Sequence, residues 1–499
     1  MLMKKTVFAA LLFSSVIWAV GLEEVGRLTK ADGLAGAEIS AYVSSQKLLI
    51  STSGERDVSL ISIENPAKPQ ILEVVRFRGE IPSVSVHGDL LAVTELNIPE
   101  TSPGTLHLYK VKNRKLELLK KFTVGAVPDM VAFSPDGKTL LVANEGTPDY
   151  DSKVDPEGFV SYIDISSGVE NAKTLELDFS SFDSLSLSNA GVRLTGPGNY
   201  LQNIEPEYIA FSPDGKWAFV TLQENNAVAK INVKKAKIES VYGLGTVDHA
   251  QKGNEFDFRK DKKIQLENAP IRGYLQPDGI KTFEVDGKLY FVTADEGAKR
   301  DDDPATMDVT TAQALKKAGR LNESVFTADW IQKLGELPID GENPCDGQEP
   351  CRYLNTFGGR SISIFDGETG KRVWNSGNSF EKFLAEHHPE YFIWNAKKAK
   401  LKMDARSGNL GCEPENLAIA KTKSGLFAFV ASERTSGIAV FDLKNPQKPQ
   451  ILDYFVSISD RGPEGVLVIS AEESPEKGVI FLVVGYEYST TLTLYRVNY

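Results

Sequence analysis

Residues 65–72 read NPAKPQIL, and 380 residues further on residues 445–452 read NPQKPQIL. Each octet follows an apolar run, VSLISIE or IAVFDLK, so the two read as one turn in two copies of a repeated unit. Five further copies can be found between and beside them. Each opens on a short acidic or Ser-containing motif before an apolar strand: AEISAY at Ala37, PSVSV at Pro82, PDMVAF at Pro128, EPEYIAF at Glu205, QPDGIKTF at Gln276, EPENLAIA at Glu413 and GPEGVLVI at Gly462. A tight turn follows, such as SPDG at Ser134 and Ser212, and then a second strand whose end also recurs: ISTSG, AVTEL, VANEG, TLQEN, TADEG, ASERT and GYEYS.

Seven units of four strands, with a minimal spacing of 45 to 49 residues, are the pattern of an all-β, seven-bladed β-propeller. The last unit stops after its third strand, TLTLYRV, and LEEVGRLTK near the N-terminus is expected to supply the fourth and close the ring. Before it, residues 1–21 carry Lys4 and Lys5, an apolar stretch and small residues at Ala19 and Gly21, the pattern of a signal peptide. The domains expected are therefore a signal peptide over 1–21 and a single propeller over 22–499. The mature chain is expected to be periplasmic or extracellular, with no membrane span and no C-terminal anchor.

The net charge of −12 becomes −14 without the two signal lysines, which argues against nucleic acid as a partner and favours cations. Three cysteines fit an oxidising compartment; Cys345 and Cys351 in CDGQEPC are placed to close a small loop, leaving Cys412 over.

The start of the first strand of an antiparallel hairpin lies beside the end of the second, so both recurrent motifs fall on one face. The first-strand positions are Glu38, Ser83, Asp129, Glu207, Asp278, Glu415 and Glu464. Those at the end of the second strand are Ser53, Glu95, Glu145, Glu224, Glu296, Glu433 and Glu487. Six of seven are acidic in each set, where 68 acids in 499 residues would give about one in seven. So many converging carboxylates repel one another unless cations or arginines neutralise them or some take up protons. The long insertions, 147–158, 178–204, 243–275, 298–359 and 377–412, all fall on this same face, with helical patterns over 309–321 and 379–388 expected to cover the channel mouth.

Five scattered histidines and no HExxH, CxxC or GxSxG motif leave hard, oxygen-liganded ions as the candidates, Ca²⁺ before Mg²⁺. The expected ligands are Glu38, Asp129, Glu145, Glu207, Asp278, Asp295, Glu296, Asp301, Glu415, Glu433, Glu464 and Glu487. Arg300, Arg360, Arg406 and Arg434 accompany the acids, and either neutralise them or, with a cation, hold a phosphate or other oxyanion. With Glu296 they are the candidates for catalysis in a phosphoester hydrolase, although no dedicated nucleophile is visible.

The segments VPDMVAFSPDGKTLLVANEG, VDPEG at Val154, TADEGAKRD, FGGRSISIFD, DARSGNLGCEPENL and ASERTSGIAVFDLKNPQKPQ resemble those of the choice-of-anchor I family. These are secreted bacterial propellers related to the mesenchyme-specific cell-surface glycoproteins of animal biomineralisation. The resemblance spans nearly the whole mature chain; ADEG at Ala294 departs from the usual ANEG, and Cys412 stands in a region usually Pro or Gly. It implies a YVTN/WD-type propeller outside the cytoplasm, with a link to calcium or mineral handling; some members carry alkaline phosphatase labels. Three functions follow as expectations. The first is a Ca²⁺-binding propeller presenting a surface to an oxyanion, mineral or cell-surface ligand. The second is a Ca²⁺-dependent, phytase-like phosphatase or phosphodiesterase, and the third a protein-binding propeller whose acids are structural.

Overall fold

The computed structural model describes residues 20–196, 198–300 and 308–499. The chain is all-β: among the described residues there are seven four-stranded antiparallel sheets and one five-stranded sheet. The third sheet shows the unit, with strands Met130–Phe133, Thr139–Asn144, Phe159–Asp164 and Lys173–Leu177 paired in chain order. Its first hairpin turns on SPDG. The Ser134 hydroxyl donates to Asp136 at 2.7 Å and accepts from the Thr139 amide at 3.0 Å, while Gly137 takes φ +67°. Ser212, Asp214, Trp217 and Gly215 repeat these contacts at 2.7 and 3.0 Å, with φ +68°. Glycine reaches this left-handed geometry without a Cβ penalty, so sequence identity in the turn becomes identity of structure.

The octets that opened the repeat behave alike. Asn65 and Asn445 each accept the amide three residues on at their carbonyl, at 2.9 Å, and the amide two residues on at their side chain, at 3.1 and 3.0 Å. Each joins the third strand of a sheet to the fourth: Asp57–Ser62 to Gln70–Arg76, and Gly437–Asp442 to Gln450–Val456.

Burial grades across each sheet. Second strands such as Leu48–Thr52, Thr139–Asn144 and Phe481–Tyr486 are buried throughout, whereas the fourth strand Gln70–Arg76 is mostly exposed. Neighbouring sheets pack face to face over apolar side chains; Phe219 meets Phe291 across one such seam with centroids 4.9 Å apart, and Phe291 stacks on its cross-strand partner Phe365 at 4.8 Å. Each ring buried this way contributes about 1.5–3 kcal/mol. The first strands lie next to one another from sheet to sheet, and Ser40–Val43 of the first sheet also neighbours Pro463–Ile469 of the last. The arrangement is propeller-like. The last sheet is completed by Gly21–Thr29, which runs antiparallel to Thr491–Asn498 with Gly21 opposite Asn498 and Thr29 opposite Thr491. Of the expected signal segment, residues 1–19 lie outside the described residues, and Val20 is buried beside Phe427 and Ile480.

The five-stranded sheet is built from insertions. Thr246–Asp248, Ile271–Tyr274, Leu354–Thr356, Ile339–Asp340 and Val309–Thr310 pair in that order, with Ile271–Tyr274 parallel to Leu354–Thr356. With helices Ala312–Lys317 and Ala328–Leu334 it encloses its own core around Phe256, Phe326, Ile331 and Leu354. Cys345 and Cys351 are bonded to each other at its edge, and Cys412 is free and buried elsewhere. The helix expected over 379–388 spans Ser379–His387, but its place differs: Phe380 and Leu384 bury between the fifth and sixth sheets instead of over the channel mouth. An apolar face of that size finds more area between two sheets than over a charged opening. Among the described residues no helix is long and apolar enough to cross a membrane.

Candidate functional site

Several inner strands enter in one way. Val127, Gln276, Glu413 and Gly462 take φ of +47°, +46°, +51° and +68°, each followed by a proline and then an acid or, in sequence terms, Asp129, Asp278, Glu415 and Glu464. Left-handed backbone at non-glycine residues, one of them the β-branched Val127, is costly and persists where surrounding structure holds it. Gln276 shows how. Its amide and that of Leu275 both donate to Asn226 Oδ1 at 2.9 Å, and its side-chain amide donates to the Ala298 carbonyl at 2.8 Å. The bend delivers the acid after each proline to a shared space.

That space is a cavity of about 360 Å³ walled by carboxylates. Glu38, Asp129, Glu207, Asp278, Glu415 and Glu464 reach it from inner strands, and Glu145, Glu224 and Glu296 from the ends of second strands. Glu433 and Glu487 lie beside it: carboxylate oxygens of Asp278, Glu415 and Glu464, of Glu296, Glu415 and Glu433, and of Glu433, Glu464 and Glu487 each fall within 4.8 Å of one another. Three of the walls came as additions to the repeat pattern, namely Glu80, Tyr208 and Asn416, whose side-chain amide donates to the Tyr208 hydroxyl at 2.9 Å. Lys281, three residues after Asp278, holds its ammonium 4.7 Å from the centre of the Tyr208 ring.

Two expected ligands stand apart. Asp295 is buried inside the fifth sheet, accepting from Thr293, Ser361 and Ser363 hydroxyls at 2.7 Å each. Neighbours on a strand point to opposite faces, so Glu296 faces the cavity and Asp295 cannot. Asp301 lies outside the described residues.

Burial, and then mutual repulsion, hold the cavity acids far above the usual carboxylate range. Glu38 and Glu145 are pushed up to about 8, Asp278 to about 7 and Asp129 to about 6, while Glu207, Glu296, Glu415 and Glu464 rise well above their ordinary value. Glu433 also rises, to about 8, against the pull of the adjacent Arg434. Lys281 moves the other way, down to about 8, because burial disfavours its charge more than Asp278 supports it. Among the described residues Glu415 Oε2 and Glu224 Oε2 are buried with no hydrogen-bond partner.

The four arginines have protein partners. Arg300 pairs with Glu205 and donates to the Asn203 and Thr195 carbonyls at 3.1 and 3.0 Å. Arg360 is buried, bound to Glu381 at 2.9 Å and to the carbonyls of Asp257, Ser407 and Asn409 at 2.8, 2.6 and 2.6 Å. Arg406 and Arg434 clasp Glu413 from two sides, each through Nε at 2.8 Å, and Arg434 Nε also meets Glu433 at 3.0 Å. They neutralise Glu205, Glu381 and Glu413 behind the cavity, and Arg434 also reaches Glu433 of the carboxylate triplets.

Residues 38–446 match the model of the choice-of-anchor I domain. A stretch of 146 residues is 27% identical to the mesenchyme-specific cell surface glycoprotein of Strongylocentrotus purpuratus, over 28% of this chain and 19% of that protein. Another of 115 residues is 30% identical to gigasin-3a of Magallana gigas, over 22% of this chain and 40% of that protein. The chain thus spans less than half the length of either relative. Among solved structures, hydrazine synthase of Kuenenia stuttgartiensis overlays 93% of this chain and 96% of its own with a TM-score of 0.48 at 12% identity, too distant to inform function. The family match covers most of the chain, and the chain belongs to the choice-of-anchor I family.

Proposed function

We propose that this family member is an exported, surface-type protein whose seven sheets are the blades of one propeller over residues 22–499. The strand Gly21–Thr29 fastens the ring, residues 1–21 direct export, and the insertion-bearing face binds Ca²⁺ and meets a surface ligand. The observation that carries the metal reading is Glu415. Its Oε2 is buried and unpartnered, and Glu415 belongs to two of the three carboxylate triplets. A buried acceptor without a donor costs about 1–3 kcal/mol, and more when charged, unless something completes it. Oxygens bound to one Ca²⁺ at about 2.4 Å stand at most about 4.8 Å apart, and a set of carboxylate oxygens suits its large shell. Bound there, the ion would supply the positive charge that the cavity's own side chains lack.

A phosphoester hydrolase would need an arginine presented to the oxyanion. Arg360 and Arg434 are instead engaged by Glu381, Glu413 and Glu433, which favours binding over turnover.

Glu415→Gln tests the reading. Ca²⁺ at about 1 mM, within the affinity range of extracellular modules, is expected to raise the melting temperature of the wild-type protein and release heat in calorimetry. The variant is expected to start about 1 kcal/mol more stable without the ion, because Gln is neutral without the proton uptake that burial and repulsion force on Glu415, and to lose most of the Ca²⁺ response. A wild-type protein indifferent to Ca²⁺ in both measurements would falsify the metal reading.

A further inference from the structure

The cavity acids are placed by the same repeat that builds the sheets. Counted along the chain, the fifth, sixth and last of the four-stranded sheets each bring two, one at or just before the start of the inner strand and one just past the end of the second. They are Asp278 and Glu296, Glu415 and Glu433, and Glu464 and Glu487. Two of the three oxygen triplets then follow one rule. Glu296, Glu415 and Glu433 are the second-strand acid of one sheet with both acids of the next, and Glu433, Glu464 and Glu487 are the same set moved on by one sheet. Glu433 belongs to both. The remaining triplet, Asp278, Glu415 and Glu464, takes the inner-strand acid of each sheet and so brings the two sets together on a second side.

Position in the repeat does not close such a set by itself. Glu145, Glu207 and Glu224 fill the same three positions between the third and fourth sheets, yet among the described residues the set draws its oxygens within 4.8 Å of one another only at the two later seams.

We infer that the protein binds two Ca²⁺ ions side by side in these two repeat-related sites, with the Glu433 carboxylate bridging them. That pair rests on the Ca²⁺ reading and adds to it the number of ions, their places and their shared ligand. Charge favours two over one. The two sets contain five different carboxylates, so a single divalent ion leaves three negative charges uncompensated, whereas a second leaves one, with Arg434 standing 3.0 Å from Glu433. Glu433 receives Arg434 at Oε2, and the lone pairs of Oε1 remain for the ions. Ions bridged in this way stand about 3.5–4 Å apart. Three carboxylates, binding through one oxygen or both, supply about three to six of the oxygens that Ca²⁺ takes, and water completes the shell.

An observation separate from the clustering points to an occupant: Oε2 of Glu415, in the first of the two sites, is buried and has no hydrogen-bond partner. The sites also differ in depth. Glu415 and Glu433 are buried, whereas Glu487, found only in the second site, is exposed. Attraction between ion and carboxylate is stronger where water is scarcer, so the inner ion carries most of the thermal response and the outer one, held in part by Glu487, adds a smaller step.

The test counts ions by equilibrium dialysis over about 0.1–10 mM Ca²⁺ in about 0.1 M NaCl, which screens loosely held surface ions. The wild type is expected to retain two ions per chain and Glu487→Gln one, with the variant melting as the wild type does in EDTA because the side chain is exposed. Glu296→Gln is expected to lose the inner ion instead, and Glu433→Gln to weaken both by at least about tenfold, since each site loses a ligand charge. Mn²⁺, which suits the same oxygen ligands, reports on distance: two equivalents are expected to give the paramagnetic resonance spectrum of a spin-coupled pair in the wild type and of an isolated ion in Glu487→Gln. One ion per wild-type chain, an equal count in Glu487→Gln, or uncoupled Mn²⁺ signals in the wild type overturns the bridged pair while leaving Ca²⁺ binding in place. No retained ion in the wild type removes the Ca²⁺ reading and the pair with it.

Discussion

Buried charge is handled in opposite ways in two regions of this protein. In the insertion layer, Arg193 is enclosed between Asp308 and Asp340, held at 3.1 Å to the latter, with its guanidinium 5.4 Å from the centre of the Phe357 ring. Each of these three charges has an opposite within reach. In the cavity, Asp278, Glu415 and Glu464 lie against one another and against Glu296, Glu433 and Glu487, and burial disfavours the charge of Lys281 near Asp278. Both regions take charges out of bulk water, so both incur desolvation; only the first recovers it internally. The lesson is that burial alone does not mark a functional site. Burial with uncompensated charge of one sign does, because a fold tolerates it only if a ligand or protons complete it.

The comparison can be broken most forcefully at Arg193. Arg193→Met removes the one base between two buried acids and is expected to cost about 3–5 kcal/mol in equilibrium urea unfolding, as loss of one partner from a buried pair does. A neutral result would mean that the insertion layer is not held by its ion pairs. Next in size is the pH response of the metal-free protein. Glu38, Glu145 and Glu433 have native values near 8, well above their value of 4.5 in the unfolded chain. Groups raised in this way contribute their full stability below pH 4.5 and lose it as pH climbs through 8. The melting temperature in EDTA is therefore expected to fall between pH 5 and pH 8.5, by the equivalent of at least about 2 kcal/mol. Ca²⁺ should flatten the fall, since it occupies the deprotonated form. A stability that rises over that window would show that the cavity acids are compensated after all. The smallest effect sharpens the contrast from outside: Asp214→Ala in the exposed SPDG turn removes bonds to the Ser212 hydroxyl and Lys216 amide, and is expected to cost no more than about 1 kcal/mol by the same unfolding measurement.

What could be read beforehand follows the same division. Acids at repeated positions, Asp129, Asp278, Glu415 and Glu464 among them, were legible because the backbone that places them is repeated too. Strand alternation decides between adjacent acids, and it is why Glu296 reaches the cavity while Asp295 turns into its own sheet; the pair ADEG alone does not say which. Glu80 sits outside the repeated motifs, and Tyr208, inside EPEYIAF, fills a position that the other motifs give to Ile, Val, Met, Gly or Asn, so the pattern does not mark it. The arginines' partners are set by insertions folding over one another, Arg300 with Glu205 across 95 residues and Arg193 with Asp308 across 115, contacts that local pattern does not carry.

The last sheet joins the earliest and latest parts of the described chain, Gly21–Thr29 against Thr491–Asn498. During synthesis the N-terminal strand therefore waits, with its ladder of amides and carbonyls open, until nearly the whole polypeptide has been made. Each intermediate length exposes a strand edge that another chain could occupy, and only the late pairing of Gly21–Thr29 with Thr491–Asn498 covers it. Once closed, the same pairing acts as a latch: the two ends cannot be pulled apart without first tearing the sheet that both of them build.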